Sequence, residues 1–223
     1  MKHLIVLFLT LAGSTPLAAQ TRAAPRQPAA TSSDEPVMSL RVFVMGAKQQ
    51  FSATTTFDAV FGAPAQPFWG GGGEVVFRKG LFVDVSASQF KKTGQRAFVF
   101  SGETFRLGIP LTATITPVEL SGGYRIRLRN HETLIPYVSG GVGWYHYQET
   151  SSFSDSSENT DARHNGYLAN AGIEFRVHRL VGLAGDVQYT HIPGILGNGG
   201  ISKDAKETDL GGVAARFKLV IGR

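Results

Sequence analysis

The histidines, a run of glycines and one acidic loop are the parts of this 223-residue sequence that could do chemistry. Nucleophilic hydrolysis would need a Ser or Thr beside a His, with that His oriented by an acid. His146 and His191 close alternating apolar runs, His164 lies in a polar stretch, and His131 and His178 sit in tight turns. None shares the polar side of a run with a Ser, so no catalytic residue is expected. Gly70-Gly71-Gly72-Gly73 lacks the following Lys-Ser/Thr of a phosphate loop and opens no helix pattern. Inside a strand such glycines permit close strand approach instead. Asp155, Glu158 and Asp161 lack the spacing and the Gly of a calcium loop, so no metal and no cofactor are expected. The chain has no Cys, which closes disulfide frameworks, thiolate zinc sites and cysteine nucleophiles together. Its pI near 9.6 would suit nucleic acid, but the bases form no single stripe. No nucleic-acid partner follows.

The elements that would position these residues begin after two leading segments. Residues 1–19 have a positive start, the apolar run Leu4 to Ala12 and a small-residue end, the anatomy of a cleaved secretory signal. Residues 20–36, rich in Ala, Pro, Thr and Ser, predict a flexible tether. From residue 37 to 223 short β-rich runs take over, and no capped helix pattern is evident. Alternating runs fall at about Met38–Gln49, Phe68–Arg78, Leu81–Phe90, Thr112–Leu128, Ile135–Gln148, Gly166–Val177, Leu180–Thr190 and Thr208–Ile221. Their connections alternate between short and long, which predicts an all-β, antiparallel up-and-down meander of eight strands with every long loop at one end.

Parity within these runs defines two environments. Tyr167, Ala169, Ala171, Ile173, Phe175 and Val177 share one face, and Asn170, Gly172, Glu174 and Arg176 the other. A soluble barrel would turn the apolar parity inward and a membrane barrel would turn it toward lipid. Aromatic placement favours the membrane. On the apolar parity, Trp69, Trp144, Tyr167 and Tyr189 fall at the long-loop rim, while Phe77, Tyr124, Phe175 and Phe217 fall at the short-turn rim. Two aromatic girdles mark two bilayer interfaces.

The polar parity then collects Arg41, Glu74, Arg78, Asp84, Glu119, Arg125, Arg127, Glu174, Arg176, Asp186, Arg216 and Lys218 in the lumen. An eight-stranded barrel is only wide enough for its own side chains, so these charges must pair and should plug it. The surplus bases Arg78, Arg125, Arg127, Arg176 and Lys218 are expected near the periplasmic rim. Beyond the opposite rim, Ala97 to Leu107 predicts a hairpin whose Phe98, Phe100 and Phe105 form a candidate contact for a partner, glycan or apolar ligand.

With these strands, Ile115-Thr116-Pro117-Val118-Glu119-Leu120-Ser121-Gly122-Gly123-Tyr124-Arg125 and Pro136-Tyr137-Val138-Ser139-Gly140-Gly141-Val142-Gly143-Trp144 resemble the eight-stranded outer-membrane barrels typified by the OmpA transmembrane domain, OmpX and OmpW. The likeness runs from about Val37 to the C-terminus. It departs at the end, where Val220-Ile221-Gly222-Arg223 replaces the usual final aromatic and leaves Phe217 and Ile221 as substitutes. The resemblance implies a monomer in the outer membrane of a Gram-negative-type cell. Its implied partners are lipid, lipopolysaccharide and, during assembly, the insertion machinery. Lys91, Lys92, Arg96, Lys203 and Lys206 are the candidate lipopolysaccharide contacts. A non-enzymatic envelope or surface-binding role is expected first, a narrow channel for small or hydrophobic solutes second, and a lipid-modifying enzyme last.

Overall fold

The computed structural model describes residues 38–222, apart from 101, 102, 130, 132, 152–158 and 198. The leader and tether lie outside the described residues. Eight antiparallel strands form a closed barrel in chain order: β1 (Met38–Phe51), β2 (Ala65–Phe77), β3 (Leu81–Phe100), β4 (Glu103–Arg125), β5 (Leu134–Thr150), β6 (Thr160–His178), β7 (Val181–His191) and β8 (Gly212–Gly222). β1 closes the ring on β8 from Arg41↔Gly222 to Phe51↔Gly212. Within the barrel wall no strand edge is left unpaired, which is what closure achieves.

Strand turns follow the residues available. Between β2 and β3, Lys79 and Gly80 both take positive φ, 76° and 90°, the backbone that a tight hairpin with right-twisted strands requires. β3 and β4 run on beyond the barrel as the expected hairpin, pairing Ala97 with Arg106 and Phe98 with Phe105 after a register shift at Gln95/Ala97. Gly72 faces inward between β1 and β3. A Cβ there would lie 2.2 Å from the Val85 carbonyl oxygen and 2.8 Å from Cζ of Phe43, so the absent side chain is what lets the Phe43 ring enter the lumen.

Two helices depart from the sequence expectation. α1 (Thr54–Phe61) and α2 (Gly200–Asp204) sit in the first and last long connections. Three successive threonines open α1, a poor helix-forming start, and no side chain of its own caps it. Burial compensates, because Phe57 and Ala59 are turned into the barrel top. Gly62 ends the helix at φ 77°, its N–H bonded to the Asp58 carbonyl at 2.8 Å.

Candidate functional site

The lumen is filled in layers. Lowest, toward the short turns, Arg41 and Arg125 bracket Glu74 and Glu174. Arg125 Nη1 donates to both Glu74 oxygens at 2.9 Å, and Arg41 Nε lies 3.4 Å from Glu74 Oε1. Arg41 Nη2 and Arg125 Nη2 both donate to Glu174 Oε2. Arg125 also lies over the Phe82 and Tyr137 rings at 5.7 and 5.6 Å. Above this square, Asp186 accepts from Arg216 Nε and from the Tyr137 hydroxyl, with Lys218 Nζ at 3.0 Å. Glu119 follows, accepting from Tyr145 and Gln188 at 2.9 Å each. To one side, Asp84 accepts from Ser121 at 2.8 Å, and Asn170 donates to Ser139 at 2.9 Å.

An aromatic layer closes the other end of the interior. Phe51 stacks on Phe57 of α1 with centroids 3.7 Å apart, and Phe90 meets Phe51, Phe57, Phe61 and Phe68 at 5.5–6.5 Å. Ile115, Ile192, Ile195 and Leu210 complete this core. Sequence parity missed it. The clue was Phe57 and Phe61 at helical spacing, followed by Gly62 and Pro64, a helix stop.

Two distant residues clamp α1 from outside. Glu207 accepts from the backbone N–H groups of Thr55 and Thr56 at 2.8 Å each and from the Thr56 hydroxyl at 2.6 Å. Arg106, from the hairpin, donates to the carbonyls of Ala59 at 3.0 Å and Asp58 at 3.3 Å. A carboxylate at the helix start and a guanidinium at its end both complement the helix dipole. Burial pushes the Glu207 carboxyl upward, but the Thr56 hydroxyl and the two amides outweigh it and hold it below its usual range. Asp209 behaves alike: burial raises it, while the amides of Ile192 and Gly211 and the His191 ring bring it down.

Outside the barrel the pattern inverts that of a soluble protein. Leu40, Val42, Val44, Val85, Val138 and Val187 face outward and are exposed. So do all eight girdle aromatics, from Phe77 to Trp69 at 72% exposure, whereas Glu174 is 2% exposed. Each such Leu or Val left in water forgoes roughly 1.5–3 kcal/mol, so this surface is built for lipid. The sequence matches the family described as outer membrane protein beta-barrel domain over residues 5–217. The chain belongs to this family.

Solved barrels share the family fold. The structure is similar to Ail, the attachment invasion locus protein of Yersinia pestis, solved with the heparin analogue sucrose octasulfate, at 12% identity and TM-score 0.50, covering 83% of this chain and 97% of that one. It is also similar to OprG from Pseudomonas aeruginosa, at 12% identity and TM-score 0.51, covering 83% and 95%. At this identity the likeness concerns the fold. A comparison with curated proteins found no match. Membership of the family places the protein in the outer membrane of a Gram-negative cell, short turns toward the periplasm and long loops outside.

Within this family barrel, the candidate residues separate into groups. Arg41, Glu74, Asp84, Glu119, Arg125, Glu174, Asp186, Arg216 and Lys218 are buried in the lumen. Arg78, Arg127 and Arg176 instead stand exposed at the periplasmic mouth, because their strands end there and water reaches them. Arg125 and Lys218, expected as surplus bases at that rim, are buried and paired with Glu74, Glu174 and Asp186. The buried set therefore has four cations against five carboxylates, reversing the expected surplus of base. Phe98 and Phe105 are half-exposed and stack on each other at 5.3 Å. The Phe100 side chain lies outside the described residues, as do Asp155 and Glu158. His146 of β5 is bonded to Asp161 of β6, and His191 at the end of β7 to Asp209 ahead of β8, so both join neighbouring segments at the outer rim. Of the candidate lipopolysaccharide contacts, Lys91, Lys203 and Lys206 are exposed, but Lys92 turns inward to Gln66 and the Phe61 carbonyl.

Proposed function

We propose that the protein is a closed, non-enzymatic barrel that serves the envelope through its outer face, as a surface-binding element anchored in lipid. The observation that supports this reading is a pair of packed layers across the lumen: a paired charged layer around Glu174 and Asp186, and an aromatic layer around Phe57 and Phe90. A solute would have to displace both, and breaking a buried ion pair costs several kcal/mol. Recording the protein in planar bilayers tests it. Baseline current without unit steps is expected, and sustained unit conductance would refute closure. The binding face comprises the Phe98/Phe105 stack and the exposed Lys91, Lys203 and Lys206, which are suited to the phosphates of lipopolysaccharide in the same leaflet. We further read the chain as a monomer inserted by the general assembly machinery.

A second reading, handling of a hydrophobic solute, draws on one feature. A cavity of about 520 Å³ lies beside α1, lined by Val60, Leu107, Leu111, Tyr147, Ile195 and Ile201 among others. Tyr147, Ile195 and Leu196 of the aromatic layer's core form part of its wall. Saturable quenching by a brominated fatty acid, read on an introduced Leu107→Trp probe, would favour this reading. Unchanged emission would count against it.

A further inference from the structure

The periplasmic end of the barrel holds a recess of about 320 Å³ that a surface-binding role leaves unused. Six arginines line it, with Arg41 and Arg125 at its floor and Arg78, Arg127, Arg176 and Arg179 around its mouth. Among the described residues Glu174 is the single carboxylate in that lining, and its Oε2 already accepts from both floor arginines. Arg78, Arg176 and Arg179 are exposed, and among the described residues none of them forms an ion pair. Backbone geometry fixes where two of them emerge. Arg78 enters the Lys79-Gly80 turn, and the Arg176 amide bonds to the Thr133 carbonyl at 2.8 Å.

Several like charges around one recess with apolar walls, here Val76, Val181 and Val220, focus a positive potential within it. An anion that enters relieves their mutual repulsion. The chemistry of the donors selects the anion, because a planar guanidinium presents paired N–H groups that match phosphate oxygens two at a time. At the outer end Glu207 and Arg106 are hydrogen-bonded to the backbone of α1 and Asp161 to His146, so no comparable cluster of arginines gathers around one recess there among the described residues.

We infer that this arginine mouth is a binding site for a phosphate-bearing anion approaching from the periplasm, held by Arg78, Arg176 and Arg179. The phosphate belongs either to a phospholipid headgroup of the inner leaflet or to a soluble phosphate compound. The site does not depend on whether the lumen conducts. Isothermal titration of the full chain in octyl glucoside, with pyrophosphate as probe, tests it. Saturable binding is expected, weakened on the order of tenfold or more in R78Q/R176Q/R179Q and unchanged in K48Q/R163Q at the opposite end. Heat-modifiable gel mobility checks that the triple variant still folds. Equal affinity in the native chain and a folded triple variant, or citrate binding as tightly as pyrophosphate, would overturn the assignment. Repeating the pyrophosphate titration in nanodiscs and titrating a short-chain phosphatidylglycerol into the lipid-free octyl glucoside sample separates the two sources. Saturable lipid binding by the native chain and not by the triple variant makes the headgroup a ligand of the arginines, whereas no such binding assigns the site to a soluble phosphate.

Discussion

Glu207→Ala should release α1 without loosening the barrel. The wild-type carboxylate satisfies two amides that an eight-residue helix cannot satisfy itself, and it bonds the Thr56 hydroxyl. Loss of a helix N-cap costs about 0.5–2 kcal/mol, and the lower half of that range applies because Glu207 is only partly buried. Taking about 1 kcal/mol, the open population of α1 rises roughly fivefold. Hydrogen exchange followed by mass spectrometry reads this on the amides of Phe57 and Gly62, which bond to the carbonyls of Ala53 and Asp58. Amides of β5 and β6 should not change. Acid should act likewise. The folded Glu207 carboxyl lies below its usual range, so its contribution is complete above the unfolded value of about 4.3 and disappears as pH falls through the lowered folded value. Asp209 is lowered too and loses its contribution in the same direction, so the informative quantity is the difference between wild type and E207A. That difference should shrink in acid. Unaltered Phe57 and Gly62 exchange in E207A, or a difference that does not shrink as pH falls, would refute the clamp.

Three further outcomes follow from the barrel wall and lumen. Gly72→Ala should cost about 1–3 kcal/mol because of its contact with the Val85 carbonyl. Gly73→Ala, whose nearest neighbour would be 3.6 Å away, should be nearly neutral in urea titrations that follow gel mobility. Glu174→Gln leaves Arg41 and Arg125 sharing Glu74 alone and should lower stability by about 3–5 kcal/mol, read as a fall in the urea midpoint. Trp69 and Trp144, the two tryptophans of the chain, both face lipid at the outer rim. Lipids brominated near the headgroup should therefore quench both more strongly than lipids brominated at the chain end, as W69F and W144F can each report.

The strands were legible because a membrane barrel writes its two faces as alternate residues, and the outward girdles gave the orientation. The aromatic layer was not. At the outer end Phe51, Phe68 and Phe90 face inward where the lumen code calls for polar groups, so parity loses its contrast there. α1 was hidden for another reason, because Thr54 to Thr56 argue against a helix and the stabilising residues lie elsewhere in the chain. Arg125 was recognised as luminal, but its pairing with both Glu74 and Glu174 depends on register across strands distant in sequence. The hairpin carrying Phe98 and Phe105 was legible in the sequence, but their stacking was not; it follows from direct cross-strand opposition.

The clamp on α1 also records a moment in assembly. α1 follows β1 and Glu207 precedes β8, so they are 151 residues apart from Thr56 and meet only where the first and last strands zip together. The Ser52 amide bonds the Gly211 carbonyl at 2.9 Å beside the same seam. An unfinished barrel has no partner for either end of that contact. The contact thus works as a latch between the two ends of the barrel sequence, formed only where β1 and β8 lie side by side.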